Sequence, residues 1–160
     1  MTLTISHGAF CGMCSEFHDW RSSVANGAGF ALEETADGMT SIALDWNVVT
    51  DDNILGVWTA PPAEALLVLF THSDIGGEIT SVDAGRFADR LSELPIPQEW
   101  HVVTQKFVAG CRLAVSRNEP LKFSYDLAAT VRRLVIDSML DKLFVDQVHQ
   151  EVRAAGLSTI

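Results

Sequence analysis

The hydrophobic period of this chain switches between two and about 3.6 several times within its first sixty residues, so neither an all-helical nor an all-strand fold fits it. Thr2-Leu3-Thr4-Ile5-Ser6 alternates polar and apolar, the pattern of a short strand with one face in solvent. After His7-Gly8, the residues Phe10, Met13, Phe17, Trp20 and Val24 recur at spacings of three and four, which predicts a core-facing helix ending near Asn26-Gly27. Ser41 to Val49 alternates again, with Ile42, Leu44, Trp46 and Val48 on one face. Asn53 to Trp58 is its expected hairpin partner, through Thr50-Asp51-Asp52.

Pro61-Pro62 breaks the chain before Leu66-Leu67-Val68-Leu69-Phe70, a run apolar on both faces that reads as a central strand. Thr80 and Asp83 have the spacing of a capping box, opening a helix with Ala84, Phe87, Ala88 and Leu91 inward. A further helix carries Trp100, Val103, Phe107 and Cys111 on one face and ends before Pro120, and Leu121 to Ser124 reads as a short edge strand. From about Asp126 to Ala155 a long last helix is expected, apolar nearly all round between Leu134 and Val145 and so buried on several sides. The fold class expected is α+β: a small sheet with about four helices packed on it and a long apolar C-terminal helix. Residues 1–160 read as a single domain, with 124–160 as a helical extension or a homodimerisation element through the 126–155 helix.

Charge narrows the partners. The net charge is −10, and between Ser22 and Gly85 there are ten acids and no Lys or Arg. Such a surface repels phosphate backbones, which argues against nucleic acid as a partner and for a small molecule or a basic protein. No apolar run approaches the roughly 18 residues of a membrane span. Three cysteines, an odd number, do not make a secreted disulfide framework, so the expected compartment is the reducing cytoplasm.

Two segments carry candidate chemistry. Cys11-Gly12-Met13-Cys14 follows a strand and opens a helix, a position that favours the thiolate. It resembles the active site of the thioredoxins, which implies a dithiol oxidoreductase using Cys11 and Cys14. The alternative for these cysteines is small, half-buried packing. The second segment, His72-Ser73-Asp74-Ile75-Gly76-Gly77-Glu78, gathers an imidazole, a hydroxyl and two carboxylates with two glycines that let a ligand approach the backbone. His72 and Asp74 could ligate a divalent metal, the one cofactor these residues suggest, and a metal-dependent hydrolase follows as an alternative. A turn in which Ser73 and Asp74 bond their own backbone is the structural alternative.

Several short motifs together resemble a family of small uncharacterised proteins of actinobacteria and their phages. They are Ile5-Ser6-His7-Gly8, Phe17, Trp20-Arg21, His72-Ser73-Asp74 with Gly77-Glu78-Ile79, Ala88-Asp89-Arg90-Leu91, Phe107, Gly110 and Glu119-Pro120-Leu121, spanning residues 5 to 123. The resemblance implies that Cys11 and Cys14 stand where cysteine is not usual, and Gly76 where an acid is. It moves weight to His7, Gly8, His72, Ser73, Asp74 and Glu78. The expected function is a ligand- or partner-binding accessory factor, phage-encoded in origin, with one polar site built from His7 and the His72–Glu78 loop. An acidic protein that blocks a basic surface is the remaining alternative.

Overall fold

The computed structural model describes residues 2–45, 49–60, 62–74 and 76–126. Strand β1 (Thr2–Ile5) forms a hairpin with β2 (Phe10–Met13), Ile5 facing Phe10 and Thr2 facing Met13. The connection is a two-residue turn in which His7 and Gly8 both take positive φ, 60° and 70°, and the Ala9 N–H donates to the Ser6 carbonyl at 3.2 Å. Tight hairpins require this left-handed pair, and His is among the residues that tolerate it.

The helix expected from Phe10 therefore begins four residues later, as α1 (Cys14–Gly27). Pairing with β1 decides the matter. It gives the inner side of β2 a backbone partner in β1, and Gly12, opposite Leu3, is a weak helix former. Phe17, Trp20 and Val24 keep the inward stripe read from the sequence.

Two other expected strands are corrected. Thr40–Ile42 (β4) pairs with the upstream Leu32–Glu34 (β3), not with Asn53 to Trp58. The latter stretch opens in a single helical turn, α2 (Asp51–Ile54), because Thr50 and Asn53 complete a reciprocal cap and Asp51 and Asp52 suit a helix start. Leu66–Phe70 lies within α3 (Leu66–Thr71) rather than a central strand. A short apolar run does not select its own period. Here the Glu64 carboxylate accepts the Leu66 N–H at 3.1 Å, and the buried Arg21 meets the carbonyls at the other end. Trp46 and Val48 lie outside the described residues, as does the expected long helix beyond Asp126.

After β5 (Glu78–Ile79), Thr80 caps α4 (Ser81–Glu93), accepting the Asp83 N–H at 3.1 Å. Ala84, Phe87, Ala88 and Leu91 are buried as read from the sequence. A 3-10 turn at Gln98–Trp100 leads into α5 (His101–Arg117), which ends at Asn118 in the left-handed conformation (φ 51°). Strand β6 (Leu121–Asp126) then enters the sheet, whose order is β2-β1-β6-β5. Leu121 to Ser124 is thus an interior segment and not an edge: Ser6 N–H donates to the Lys122 carbonyl at 3.0 Å on one side, and Leu121 pairs with Ile79 on the other.

The fold is mixed α and β: five helices, a four-stranded antiparallel sheet and a two-stranded one among the described residues. Period-two alternation gives the larger sheet two unlike faces. Leu3, Ile5, Phe10, Ile79, Leu121 and Phe123 point into one core with Phe17 and Trp20 of α1, Leu66 and Leu69 of α3, Phe87 of α4 and Phe107 of α5. Cys11, Met13, Lys122 and Ser124 are exposed on the opposite face. The Phe17, Trp20 and Phe107 rings interlock at 4.7 to 6.4 Å, and the Trp20 Nε1–H donates to Thr104 Oγ1 at 3.0 Å, so the largest core side chain is fully satisfied. No helix among the described residues is long and apolar enough to cross a membrane.

Candidate functional site

The polar site starts from the hairpin turn. His7 reaches Glu119, just beyond the end of α5, with Nε2 and Oε2 2.7 Å apart. Its Nδ1 lies 2.9 Å from Ser6 Oγ, and Ser6 Oγ also accepts the Lys122 N–H at 2.9 Å. Ionised Glu119 can only accept, so Nε2–H donates to it, and the Nδ1 of a neutral imidazole then accepts the Ser6 hydroxyl proton. This network assigns the tautomer of neutral His7. The bond from His7 holds the Glu119 carboxyl below its usual range, with Arg117 and Lys122 adding in the same direction. The His7 side chain is 8% exposed and that of Glu119 54%, so the relay runs from the protein outward. Ser6, His7, Arg117, Glu119, Pro120 and Lys122 line a cleft of about 470 Å³ here.

The second turn meets this rim through one residue only. Glu78 faces Lys122 across β5 and β6, and Lys122 Nζ lies 3.5 Å from its carboxylate, an exposed and hence weak pair. Ser6, just past the end of β1, thus forms one outward row with Lys122 of β6 and Glu78 of β5.

His72, Ser73 and Asp74 are placed differently. The His72 residue is 2% exposed, its ring packs 4.1 Å from that of Phe123 on the core side of the sheet, and Nδ1 donates to the Ser73 carbonyl at 2.8 Å. Gly56 (φ +87°) and Gly77 (φ +99°) close over it: a Cβ at Gly77 would stand 3.0 Å from Nε2, and one at Gly56 3.2 Å from Cδ2. Burial is the main cause that lowers the His72 pKa from 6.5 to about 4. The Ser73 and Glu78 carbonyls oppose the shift, and the Arg21 charge adds to it. The ring is neutral at pH 7, and its Nε2 has no hydrogen-bond partner among the described residues.

Asp74 pairs with the buried Arg21 at 2.8 Å, a close ion pair whose oxygen is not aligned as a hydrogen-bond acceptor. Arg21 also donates to the carbonyls of His72 at 2.9 Å and Leu69 at 3.4 Å, and its guanidinium lies 4.9 Å from the Phe17 ring centre. One cation therefore ends α3, neutralises Asp74 and stacks on the core. This role of Arg21 was hidden in the sequence, because its partners lie some fifty residues further along the chain.

The thiols divide between environments. Cys11 is exposed on the outer face of β2, opposite Thr4, while Cys14 starts α1 half-buried beside Asp74 and Arg21. The thiolate expected from a helix amino terminus is not favoured at Cys14. Burial pushes its pKa up and the Asp74 charge adds to that, outweighing the lowering by Arg21. His72 and Asp74 turn their polar atoms to Ser73 and Arg21, and among the described residues no three His, Cys, Asp or Glu side chains converge as a metal site.

No family model, curated protein or solved structure matches the chain.

Proposed function

We propose that this is a ligand-binding protein whose site is the cleft at His7, taking a small molecule that carries a carboxylate or phosphate. The observation that carries the reading is the bonded chain Ser6–His7–Glu119 in the wall of a cleft whose exposed cations are Arg117 and Lys122. A volume of about 470 Å³ suits a small metabolite. With Glu119 held by His7, and Lys122 only loosely by Glu78, both cations are available to an anion at little cost in broken contacts. Gly8 and Glu78 flank the cleft and act through the backbone and the Lys122 pair. His72, Ser73 and Asp74 stand apart from this cleft, His72 packed on Phe123 and Asp74 paired with Arg21. The motif resemblance to small proteins of actinobacteria and their phages supports an accessory role for such a binder.

The test is a titration of isotope-labelled protein with sodium phosphate and sodium acetate, sodium chloride being the control. Shifts confined to the Ser6, His7 and Lys122 signals, and lost in Arg117→Ala/Lys122→Ala, support the site. Equal shifts with chloride, or none, remove it.

The order hydroxyl, imidazole, carboxylate favours a second reading, an acyl-transfer enzyme. Ser6 Oγ would add to an ester carbonyl as its proton passes to His7 Nδ1. The leaving alkoxide would take that proton, and water would release the acyl group. Labelling of Ser6 by a fluorophosphonate, lost in His7→Gln, is the expected result. Labelling that persists in Ser6→Ala refutes it.

A further inference from the structure

A second depression borders the first at Pro120 and has the opposite character. Leu55, Val57, Trp58, Val82 and Pro120 line a cleft of about 560 Å³, with Gly77 and Glu78 on its strand side. Three of these apolar side chains stand out into solvent: the residues are 52% exposed at Leu55, 62% at Val57 and 72% at Val82. Protruding apolar residues around one cleft mark a docking surface rather than an enclosed pocket for a metabolite. Trp58 contributes a further signal. Its ring packs partly against the core and partly lines the cleft, and its Nε1–H has no acceptor among the described residues.

The rim is acidic. Asp51 and Asp52 lie on α2 directly before Leu55, and the Val57 N–H donates to the Asp52 carbonyl at 2.9 Å, which holds α2 against the cleft wall. Both are exposed, and neither pairs with a described cation. Asp51 and Asp52 stand next to the cleft, while Glu78 and Asp83 line it, Glu78 shared with Lys122 at 3.5 Å and Asp83 with Arg86 at 3.3 Å. This rim belongs to the stretch from Ser22 to Gly85, which holds no Lys or Arg.

We infer that this cleft docks a basic amphipathic segment of a partner protein, its apolar side chains seated on Trp58, Val57 and Val82 and its Lys or Arg residues against Asp51 and Asp52. Charge complementarity selects that occupant. A second copy of a chain with net charge −10 would bring two acidic rims together, and an anionic lipid surface would be repelled in the same way. The inference is independent of the His7 cleft, from which it differs in every residue except Pro120.

The experiment uses the full chain and three fluorescein-labelled peptides of equal length: a Lys/Leu amphipathic helix, a Lys/Ser peptide of the same charge and a Glu/Leu peptide of the same apolar pattern. Anisotropy should report binding of the Lys/Leu peptide alone. Affinity should fall about tenfold or more in Val82→Lys and in Trp58→Ala. Asp51→Asn/Asp52→Asn should weaken binding and flatten its salt dependence, while His7→Ala leaves it unchanged. Val82 is so exposed that its variant keeps the wild-type melting temperature, which separates lost docking from lost folding. Equal binding of the Lys/Ser or the Glu/Leu peptide overturns the inference. So does full affinity in Val82→Lys, or a concentration-dependent dimer that Val82→Lys abolishes.

Discussion

Protonation of His72 should govern how the fold fails in acid. In the native protein this imidazole titrates at about 4 instead of 6.5, chiefly because it is buried under Gly56 and Gly77 and against Phe123. The unfolded chain takes up the proton first as pH falls, so between pH 6.5 and about 4 the unfolded state binds more protons than the native one. Stability is therefore full above pH 6.5 and declines as pH falls towards 4. A displacement from 6.5 to about 4, at about 1.4 kcal/mol per pH unit, amounts to about 3 kcal/mol in total. About 2.5 kcal/mol of that should be lost between about pH 7.5 and about pH 4.5. Urea unfolding at those two pH values measures it, with His72→Gln as the reference, because carboxylates elsewhere titrate equally in both proteins. The wild type should lose about 2.5 kcal/mol more than the variant. Parallel losses in the two proteins, or a His72 ring signal that titrates near 6.5 in the folded state, would refute the reasoning.

Other outcomes follow from single contacts. Arg21→Met should cost about 3 kcal/mol or more in urea unfolding, since it strands Asp74 and leaves the α3 carbonyls facing the core. Ala at Gly56 should cost at least about 2 kcal/mol, because the backbone there is left-handed and the new methyl group would collide with the Glu78 carbonyl; a neutral result would mean that this turn is built differently. Gly110→Ala should disturb the His7 signals from a distance: its Cβ would stand 2.5 Å from that of Ala9, forcing α5 off the hairpin whose tip carries His7. Cys11 should react with a thiol reagent at once, Cys14 slowly and Cys111, its pKa pushed to about 12 by burial, only on unfolding. Simultaneous modification of Cys11 and Cys14 would restore a dithiol site.

What the sequence determined by itself is what neighbours along the chain decide together. The inward stripe of Phe17, Trp20 and Val24, that of Ala84, Phe87, Ala88 and Leu91, the Thr80 cap and the first strand all follow from periods and caps within one or two turns. The acid-only stretch was legible for the same reason, being a property of composition alone.

Tertiary structure decided the rest, because there the governing partner lies far away in sequence. Phe10 to Met13 is extended because β1 offers it a ladder, against a spacing that suits a helix. Leu66 to Thr71, apolar on nearly every side, is helical because Glu64 and Arg21 receive its ends. The same division holds in the site. His7 and Gly8 were legible as a turn, but the partner of His7 is Glu119, 112 residues on. His72 read as a candidate ligand in a polar loop, yet glycines on two separate segments and Phe123 enclose it and remove its charge. Propensity and pattern act over a few residues, whereas burial and ion pairing depend on which distant segments share a volume, and only the folded chain specifies that.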